Sequence, residues 1–370
     1  MKTEFGTSYN AYLLRGSEKT ALVETCHTRF FEVFKSNVEE IMPISDIDYV
    51  VFNHTEPDHS GSLERLLEYN PNIKAVGSVA AIRNLSAIAN KKIDSITVKN
   101  GDKLDLGGGI SLDFVSAPNL HWPDSIFSYC ESLKTVFTCD FLGSHYCEPT
   151  ITDDFISYPE NYWSAFRGYF DAIMGPFKKF VLDGIAKLEK LDFDMVCTSH
   201  GPVLKNNITE AVAKYKEWSQ PKDNEKTAAI FYVSAYGYTE IMADALAVGM
   251  NTAGVKTEIF DIIKHDTSVI AEKIEKSSAY LFGSPTINRD AVKPVWDTIS
   301  MIDPISNKGK KALVFGSYGW SGEACKNLSE RLRGIGIDVV AENERILFKP
   351  SEEDIQNLKE IGKAFAETIK

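Results

Sequence analysis

Residues 51–63 of the chain read VFNHTEPDHSGSL, and four strong metal-ligand types fall within six positions of this stretch: His54, Glu56, Asp58 and His59. A short apolar run, Tyr49–Phe52, leads in, and leucines at 63, 66 and 67 lead out with helical spacing. The pattern predicts a loop between a strand and a helix, at the edge of a sheet. Such loops are where α/β proteins place their chemistry.

The spacing within this stretch divides the ligands into two pairs. His54 and Glu56 are two residues apart and can point to one metal. Asp58 and His59 come after the bend expected at Pro57 and can point to another. We therefore interpret the stretch as one half of a two-metal site.

The stretch resembles the metallo-β-lactamase superfamily, whose hydrolases carry His-x-His-x-Asp-His at this point and usually bind two zinc ions. Glu56 stands where those hydrolases have a second imidazole. A mixed set of imidazole and carboxylate ligands favours redox-active iron over zinc. The variant His-x-Glu-x-Asp-His resembles the flavodiiron proteins, which reduce dioxygen to water or nitric oxide to nitrous oxide.

Three further ligand-type residues follow downstream, each after an apolar, strand-like run: His121, Asp140 and His200. These runs are Ile110–Val115, Thr135–Thr138 and Met195–Thr198. The resemblance implies one iron held by His54, Glu56 and His121. It implies a second iron held by Asp58, His59 and His200, with Asp140 as the bridging carboxylate.

The remaining histidines, His27, His145 and His265, fall outside this pattern and are interpreted as ordinary core or surface residues. His145 lies five residues after Asp140 and is a candidate to contact a metal ligand without binding the metal itself.

Length and composition bound the function classes. A chain of 370 residues suggests two domains, and 44% hydrophobic with 25% charged residues is typical of a globular protein. With no membrane-length apolar run and no leader pattern, the expected location is the cytoplasm. A net charge of −12 argues against nucleic acid as a partner. The six cysteines form no C-x-x-C pair and are expected to be buried, reduced thiols.

The first half of the chain alternates strand-like and helix-like segments up to about residue 200. Ser8–Leu14 and Ala21–Glu24 are predicted to be strands, and Phe30–Ile41 a helix. The resemblance implies a four-layer αββα sandwich with metals at the sheet edges. Related chains usually have a further strand or two before the segment that starts here at Gly6, so either the sequence starts late or the first sheet lacks a strand.

Aromatic residues are dense between Asp153 and Leu191. At roughly helical spacing they are expected to be core or interface residues rather than part of a cofactor site. The amount of aromatic surface suggests that some of it is buried between subunits.

The polar segment QPKDNEK, at 220–226, predicts a domain boundary, which gives one domain over 1–224 and another over 225–370. Five strands alternate with helices in the second domain and predict a doubly wound, flavodoxin-like parallel sheet. The predicted strands are Thr227–Ser234, Lys256–Asp261, Ser278–Phe282, Lys311–Phe315 and Ile337–Ala341.

Three loops at the carboxyl ends of these strands are typical of a site for flavin mononucleotide (FMN). The first can hold a phosphate on the N–H groups of a helix start, and the other two can enclose the flavin ring, with Trp320 or Tyr318 stacked on it. The predicted FMN-binding residues are Ser234, Tyr236, Gly237, Tyr238 and Thr239, then Ser284, Pro285, Thr286 and Asn288, then Ser317, Tyr318, Gly319, Trp320 and Gly322.

Together the halves predict a reductase for dioxygen, nitric oxide or both, in which FMN passes electrons to a diiron site. The resemblance implies a head-to-tail homodimer or a dimer of dimers, and rubredoxin or a deazaflavin cofactor as the external electron donor. Two alternatives remain. One is a two-zinc hydrolase with an appended flavodoxin-like domain, and the other is a flavin electron carrier with a degenerate first domain.

Overall fold

The structure is a computed structural model that describes residues 3–220 and 226–369. The chain folds as two compact units, Met1–Gln220 and Pro221–Lys370. The domain boundary predicted between residues 224 and 225 lies outside the described residues.

Two five-stranded sheets form within residues 3–220, with the orders β1-β2-β3-β4-β5 and β10-β9-β8-β7-β6. The first sheet is parallel apart from its β1–β2 pair, and the second is antiparallel apart from its β9–β10 pair. The strands are β1 Tyr12–Arg15, β2 Thr20–Val23, β3 Tyr49–Val51, β4 Lys74–Gly77, β5 Ser95–Thr97, β6 Lys103–Asp105, β7 Ser111–Ser116, β8 Ile126–Cys130, β9 Thr135–Cys139 and β10 Met195–Thr198.

The helices of this unit connect or cover these strands. They are α1 Phe31–Glu39, α2 Pro57–Ser60, α3 Leu63–Tyr69, α4 Val79–Ile88, α5 Pro159–Tyr169, α6 Lys178–Leu188 and α7 Ile208–Ser219. After α5, residues Phe170–Met174 form a short π-helical segment.

Alternation of side chains along the strands builds four layers. In β2, Ala21 and Val23 pack between the two sheets, whereas Leu22 faces the helices α1, α3 and α4. The second sheet likewise directs Phe137 inward and Val136 toward α5, α6 and α7. Because successive strand residues face opposite sides, each sheet buries one face against the other sheet and one against helices. The predicted αββα sandwich is confirmed.

Three details of this unit differ from or refine the sequence predictions. The first strand begins at Tyr12 rather than Ser8, because the preceding residues hydrogen-bond to the end of β10 instead of continuing the ladder. Cys147 is exposed, so the expectation that all cysteines are buried was wrong at this position, which lies in a surface loop. The aromatic residues Tyr162, Phe166, Tyr169 and Phe170 belong to the unit's own core, whereas Phe155 and Tyr158 are exposed.

The second unit contains a parallel sheet with the order β12-β11-β13-β16-β17 over the described part of 226–369. Its strands are β11 Thr227–Tyr232, β12 Lys256–Asp261, β13 Ala279–Gly283, β16 Lys311–Tyr318 and β17 Asp338–Leu347, with a small hairpin of β14 Thr286–Ile287 and β15 Asp290–Ala291. Its helices are α8 Tyr238–Thr252, α9 Thr267–Lys276, α10 Lys293–Ser300, α11 Glu323–Gly334 and α12 Glu352–Thr368.

Helices cover both faces of this sheet. Residues of β11, β13 and β16 pack on one side against α9, α10 and α11, and on the other side against α8 and α12. The strands therefore read as continuous apolar runs, as expected for a parallel sheet that is buried on both faces. This is the predicted flavodoxin-like doubly wound sheet. The last strand runs to Leu347, six residues beyond its predicted end at Ala341.

No helix in the described ranges is long and apolar enough to cross a membrane.

Two glycines set the close approach of α8 and α12. A Cβ atom at Gly249 would lie 2.0 Å from the carbonyl oxygen of Lys359, and one at Gly362 would lie 2.3 Å from that of Leu246. These distances are far below van der Waals contact, so any larger residue forces the two helices apart.

We predict that Gly249→Ala destabilises the second unit by about 1–3 kcal/mol through overpacking, although alanine is the better helix former. The measurement is chemical denaturation followed by far-UV circular dichroism. Gly334→Ala, at an exposed helix position with open space around its Cβ, is the control and should be neutral or slightly stabilising. Equal midpoints for Gly249→Ala and the unmodified protein would contradict the predicted overpacking.

Candidate functional site

The seven predicted metal ligands lie where strands of the first unit end. His54 and Glu56 follow β3, and Asp58 and His59 lie in the short helix α2. The others come after β7, β9 and β10, at His121, Asp140 and His200 respectively. The structure brings all seven together, although the sequence separates the first from the last by well over a hundred residues.

One ligand group consists of His54, Glu56, His121 and Asp140, whose ligand atoms lie within 4.8 Å of one another. Glu56 Oε2 is 3.4 Å from His54 Nε2 and 3.1 Å from His121 Nε2. Two ligands bonded to one ion at about 2.1 Å are themselves separated by roughly 3 Å, so this spacing suits a shared ion.

A second group consists of Asp58, His59 and His200, also within 4.8 Å of one another. His200 Nε2 is 3.2 Å from Asp58 Oδ2, and His59 Nε2 is 3.4 Å from Asp58 Oδ1. Each group therefore combines imidazole nitrogens with at least one carboxylate.

Asp140 lies between the two groups and directs one carboxylate oxygen to each. Its Oδ2 is 3.6 Å from His54 Nε2 and 3.3 Å from His121 Nε2. Its Oδ1 is 3.1 Å from His59 Nε2 and 3.4 Å from His200 Nε2. This is the geometry of a carboxylate that can bridge two ions.

Buried atoms without hydrogen-bond partners indicate that the residues fit a metal. Asp58 Oδ1, His59 Nε2 and Asp140 Oδ2 are buried and have no hydrogen-bond partner among the described residues. Burying polar atoms without a partner is costly, and a bound cation would remove that cost. The set of imidazoles and carboxylates is also one that iron accepts.

The centre is open on one side. His54, His59, Asp140 and His200 are buried, whereas the side chains of Glu56 and Asp58 are 38% and 25% exposed. A small molecule can therefore approach from the side of these two partly exposed carboxylates.

Opposite charges inside the centre shift several pKa values. Burial opposes ionisation of Asp140, but His59 and His121 outweigh it and hold the pKa of this carboxyl well below its ordinary value. Hydrogen bonds from His121 and His54 lower the pKa of Glu56. Burial lowers the pKa of His54, yet contacts with Asp124 and Glu56 leave it raised overall. The carboxylates therefore stay ionised in the interior, and ionised carboxylates favour a bound cation.

The segment before β1 orients His200. Its Nδ1 donates a hydrogen bond to the carbonyl of Ser8 at 2.7 Å, which leaves Nε2 facing the centre. The Asn10 side chain holds this segment in place by donating to the carbonyls of Thr198 and Gly201. Sequence reasoning missed these contacts because they join residues almost two hundred positions apart.

Two further side chains support the ligands and were also missed. Asp124 is buried, accepts hydrogen bonds from the N–H and hydroxyl of Thr55, and lies 3.3 Å from His54 Nδ1. The Tyr169 hydroxyl donates to Asp140 Oδ1 at 2.9 Å. The sequence could have indicated Asp124, because this acidic residue lies three residues after His121 in the same loop. Nothing in the sequence distinguished Tyr169 from its aromatic neighbours.

The other histidines lie outside the two ligand groups. His145 Nδ1 is 3.2 Å from the Thr7 hydroxyl, and its ring centroid lies 5.6 Å from that of His200. His27 accepts a hydrogen bond from the backbone N–H of Arg29, and His265 packs on Phe260. His145 is therefore beside a ligand rather than in the ligand set.

In the second unit, the three predicted flavin loops meet at a cavity of about 210 Å³. Eight predicted residues line it: Tyr236, Tyr238, Pro285, Thr286, Ser317, Tyr318, Gly319 and Trp320. Three further lining residues were not among the predicted binding residues: Ala235 and Ile287, which lie within the predicted loops, and Phe348, which lies outside them.

The other six predicted flavin residues do not line this cavity: Ser234, Gly237, Thr239, Ser284, Asn288 and Gly322. Some have hydrogen bonds within the protein. The Ser234 hydroxyl accepts from the N–H of Glu240, and the hydroxyls of Thr239 and Ser317 lie 2.9 Å apart. Gly237 has φ +79° at the start of α8, a conformation that favours glycine.

Comparisons with known proteins find a matching family for each of the two domains. Residues 7–201 match the family described as ODP family beta lactamase, and residues 230–362 match the flavodoxin family. The flavo-diiron protein FprA2 of Clostridium acetobutylicum is 45% identical over 100% of this chain and 94% of its own length. The chain belongs to the flavo-diiron protein family. The predicted family and fold are thereby confirmed.

Two other relatives align over nearly the whole of this chain. The type A flavoprotein fprA of Rhodobacter capsulatus is 32% identical over 100% of this chain and 86% of its own length. The structure of rubredoxin oxygen:oxidoreductase from Desulfovibrio gigas superposes with a TM-score of 0.68 at 29% identity, covering 99% of this chain and 92% of the other. Both domains of the chain are thus shared with these proteins, in the same order.

We predict that Asp124→Asn lowers the affinity of the metal centre for iron by about 10- to 100-fold, because the neutral amide no longer holds the His54 ring by charge. Iron retained after equilibration with a chelator, measured by elemental analysis, tests this. Asp94→Asn removes an exposed carboxylate of the same unit and is the control. Equal iron retention in both variants would show that Asp124 does not support the centre.

Proposed function

We propose that this flavo-diiron protein reduces dioxygen to water, nitric oxide to nitrous oxide, or both, at a diiron site supplied with electrons through FMN. The observation that carries the proposal is Asp140, whose two oxygens face two separate groups of ligand atoms. A site for a single metal ion would not need a carboxylate whose two oxygens face different groups of ligands.

The ligands divide between the irons as the two groups do. His54, Glu56 and His121 would hold one iron, and Asp58, His59 and His200 the other, with Asp140 between them. When bound, the irons supply redox change and Lewis acidity, and FMN supplies single electrons.

The protein's own residues orient and protect this centre. The hydroxyl of Tyr169 fixes the rotation of the Asp140 carboxylate through its bond to Oδ1. The Ser8 carbonyl and Asp124 fix the rings of His200 and His54, so that each presents Nε2. Partial exposure of Glu56 and Asp58 leaves one face for a small substrate, while burial of His54, His59 and His200 excludes water from the others.

The second unit would bind FMN at the carboxyl edge of its sheet. The α8 start, after Gly237, offers backbone N–H groups for the phosphate, without any basic side chain. Tyr236, Tyr318 and Trp320 lie around the cavity and provide aromatic surface for the flavin ring. The predicted domains, 1–224 for the metal centre and 225–370 for FMN, follow this division of roles.

Electrons would come from an external donor, either rubredoxin or a deazaflavin cofactor. The name of one structural neighbour, rubredoxin oxygen:oxidoreductase, supports rubredoxin. We further propose a cytoplasmic protein that forms a head-to-tail homodimer or a dimer of dimers, in which one subunit's flavin serves its partner's diiron site. The exposed rings of Phe155 and Tyr158 are apolar surface that such an interface could cover.

We predict about two irons and one FMN per chain in protein purified without added metal. Elemental analysis and the visible spectrum measure both contents, and anaerobic assays of oxygen and nitric oxide consumption then rank the two substrates. Zinc in place of iron, with no flavin, would favour the hydrolase instead.

Replacement of the bridging carboxylate tests the mechanism. We predict that Asp140→Ala keeps its flavin but loses turnover by about 100-fold or more, because neither iron retains its shared ligand. Asp192→Ala, at an exposed ion pair with Lys134, is the control. Unchanged turnover in Asp140→Ala would rule out the mechanism. Loss of turnover in a variant that keeps its flavin would rule out a flavin carrier with a degenerate first domain.

Glu56 allows a test of metal choice. We predict that Glu56→His shifts the metal bound from iron toward zinc, because a third imidazole replaces the Glu56 carboxylate in the first group. Reconstitution with equal ferrous iron and zinc, followed by elemental analysis, measures the ratio. Glu56→Gln removes the charge without adding an imidazole and should not gain zinc, so equal zinc in both variants would contradict this role of Glu56.

A further inference from the structure

The flavin cavity has a side that none of the three predicted loops provides. Those loops follow β11, β13 and β16, whereas Phe348 follows β17 and lines the same cavity. The last strand was predicted to end at Ala341, so none of its residues was expected near the flavin. Because β17 runs on to Leu347, it brings a further aromatic side chain to this edge.

The backbone holds Phe348 in a specific conformation. Its φ is +57°, a left-handed value that is uncommon for a residue with a side chain. Its N–H donates a 2.7 Å hydrogen bond to the carbonyl of Tyr318, at the base of the third loop. The chain therefore leaves the strand sharply at this residue.

Gly319 leaves the space that the Phe348 ring occupies. A Cβ atom at Gly319 would lie 2.7 Å from Cε1 and 3.0 Å from Cζ of that ring. The ring thus packs directly on the backbone of the third loop. A second contact of the same kind lies nearby, where a Cβ atom at Gly322 would be 2.9 Å from Cδ of Arg345.

These aromatic side chains are unusually exposed. Phe348 is 57% exposed, and the cavity residues Tyr236 and Trp320 are 84% and 82% exposed. Exposed aromatic rings that surround one open cavity indicate a binding surface. Exposed rings scattered over a protein surface would not line a shared concave face. A flat aromatic ligand suits such a face.

We propose that Phe348 is a flavin-binding residue, which forms a fourth side of the pocket by contact with the isoalloxazine ring, and that Gly319 admits its ring to this position. The inference rests on the proposed binding of FMN. It assigns a binding role to the end of the last strand, in addition to the three loops.

The test is FMN affinity of the full-length protein after removal of its flavin, measured by titration with FMN and quenching of flavin fluorescence. Phe348→Ala is expected to weaken binding by about tenfold, through loss of aromatic contact. Phe348→Tyr should restore most of the affinity, and Phe348→Leu should not. Leu347→Ala removes the neighbouring exposed side chain, which does not line the cavity, and should bind as the unmodified protein does.

A double variant tests the packing on Gly319. Gly319→Ala should displace the Phe348 ring and weaken FMN binding, and adding Phe348→Ala should cost less than the sum of the two single effects. Far-UV circular dichroism checks that each variant is folded.

The outcomes separate the two proposals. Unchanged affinity in Phe348→Ala, with FMN bound by the unmodified protein, would overturn the role of Phe348 and leave the proposed function intact. Equal affinities of Phe348→Tyr and Phe348→Leu would overturn the aromatic contact. Failure of the unmodified protein to bind FMN would overturn the proposed function and this inference with it.

Discussion

The buried carboxylate of Asp140 is the constraint on which the first unit depends. A carboxylate in the interior is stable only when charged or hydrogen-bonding partners surround it, and Asp140 has histidines on both oxygens and the Tyr169 hydroxyl on one. Those partners come from distant parts of the chain. The sandwich must therefore bring the ends of several strands to one place before this group can be buried.

The two sheets meet this requirement in different ways. The largely parallel first sheet delivers His54 and its neighbours directly from the end of β3, within a few residues of sequence. The largely antiparallel second sheet delivers Asp140 and His200 from the adjacent parallel strands β9 and β10. The segment before β1 then hydrogen-bonds to the end of β10, and so links the first sheet to the loop that carries His200.

The second unit shows a different use of close packing. Glycines at 249 and 362 let helices α8 and α12 approach one another, and Gly319 lets an aromatic ring lie on a loop backbone. In each case the absent Cβ permits a contact that a larger residue would prevent. Aromatic rings are exposed at one edge of the same sheet. Exposing apolar rings to water is unfavourable unless a ligand covers them, and a flat ligand would do so here.

The sequence by itself determined the ligand types, the order of the domains and the doubly wound fold of the second domain, because these depend on local spacing and on apolar periodicity. The four layers of the first domain followed from the family resemblance that its motif carries. The His-x-Glu-x-Asp-His pattern, the strand-like runs before His121, Asp140 and His200, and the family resemblance that they carry together predicted the centre. Only the tertiary structure decided which atoms support it. Ser8, Asp124 and Tyr169 act through contacts with residues far away in sequence, and Phe348 reaches the flavin cavity because strand pairing carries a polar segment of β17 past its apolar part. Periodicity describes a residue's neighbours along the chain, whereas these contacts depend on how separate strands end side by side.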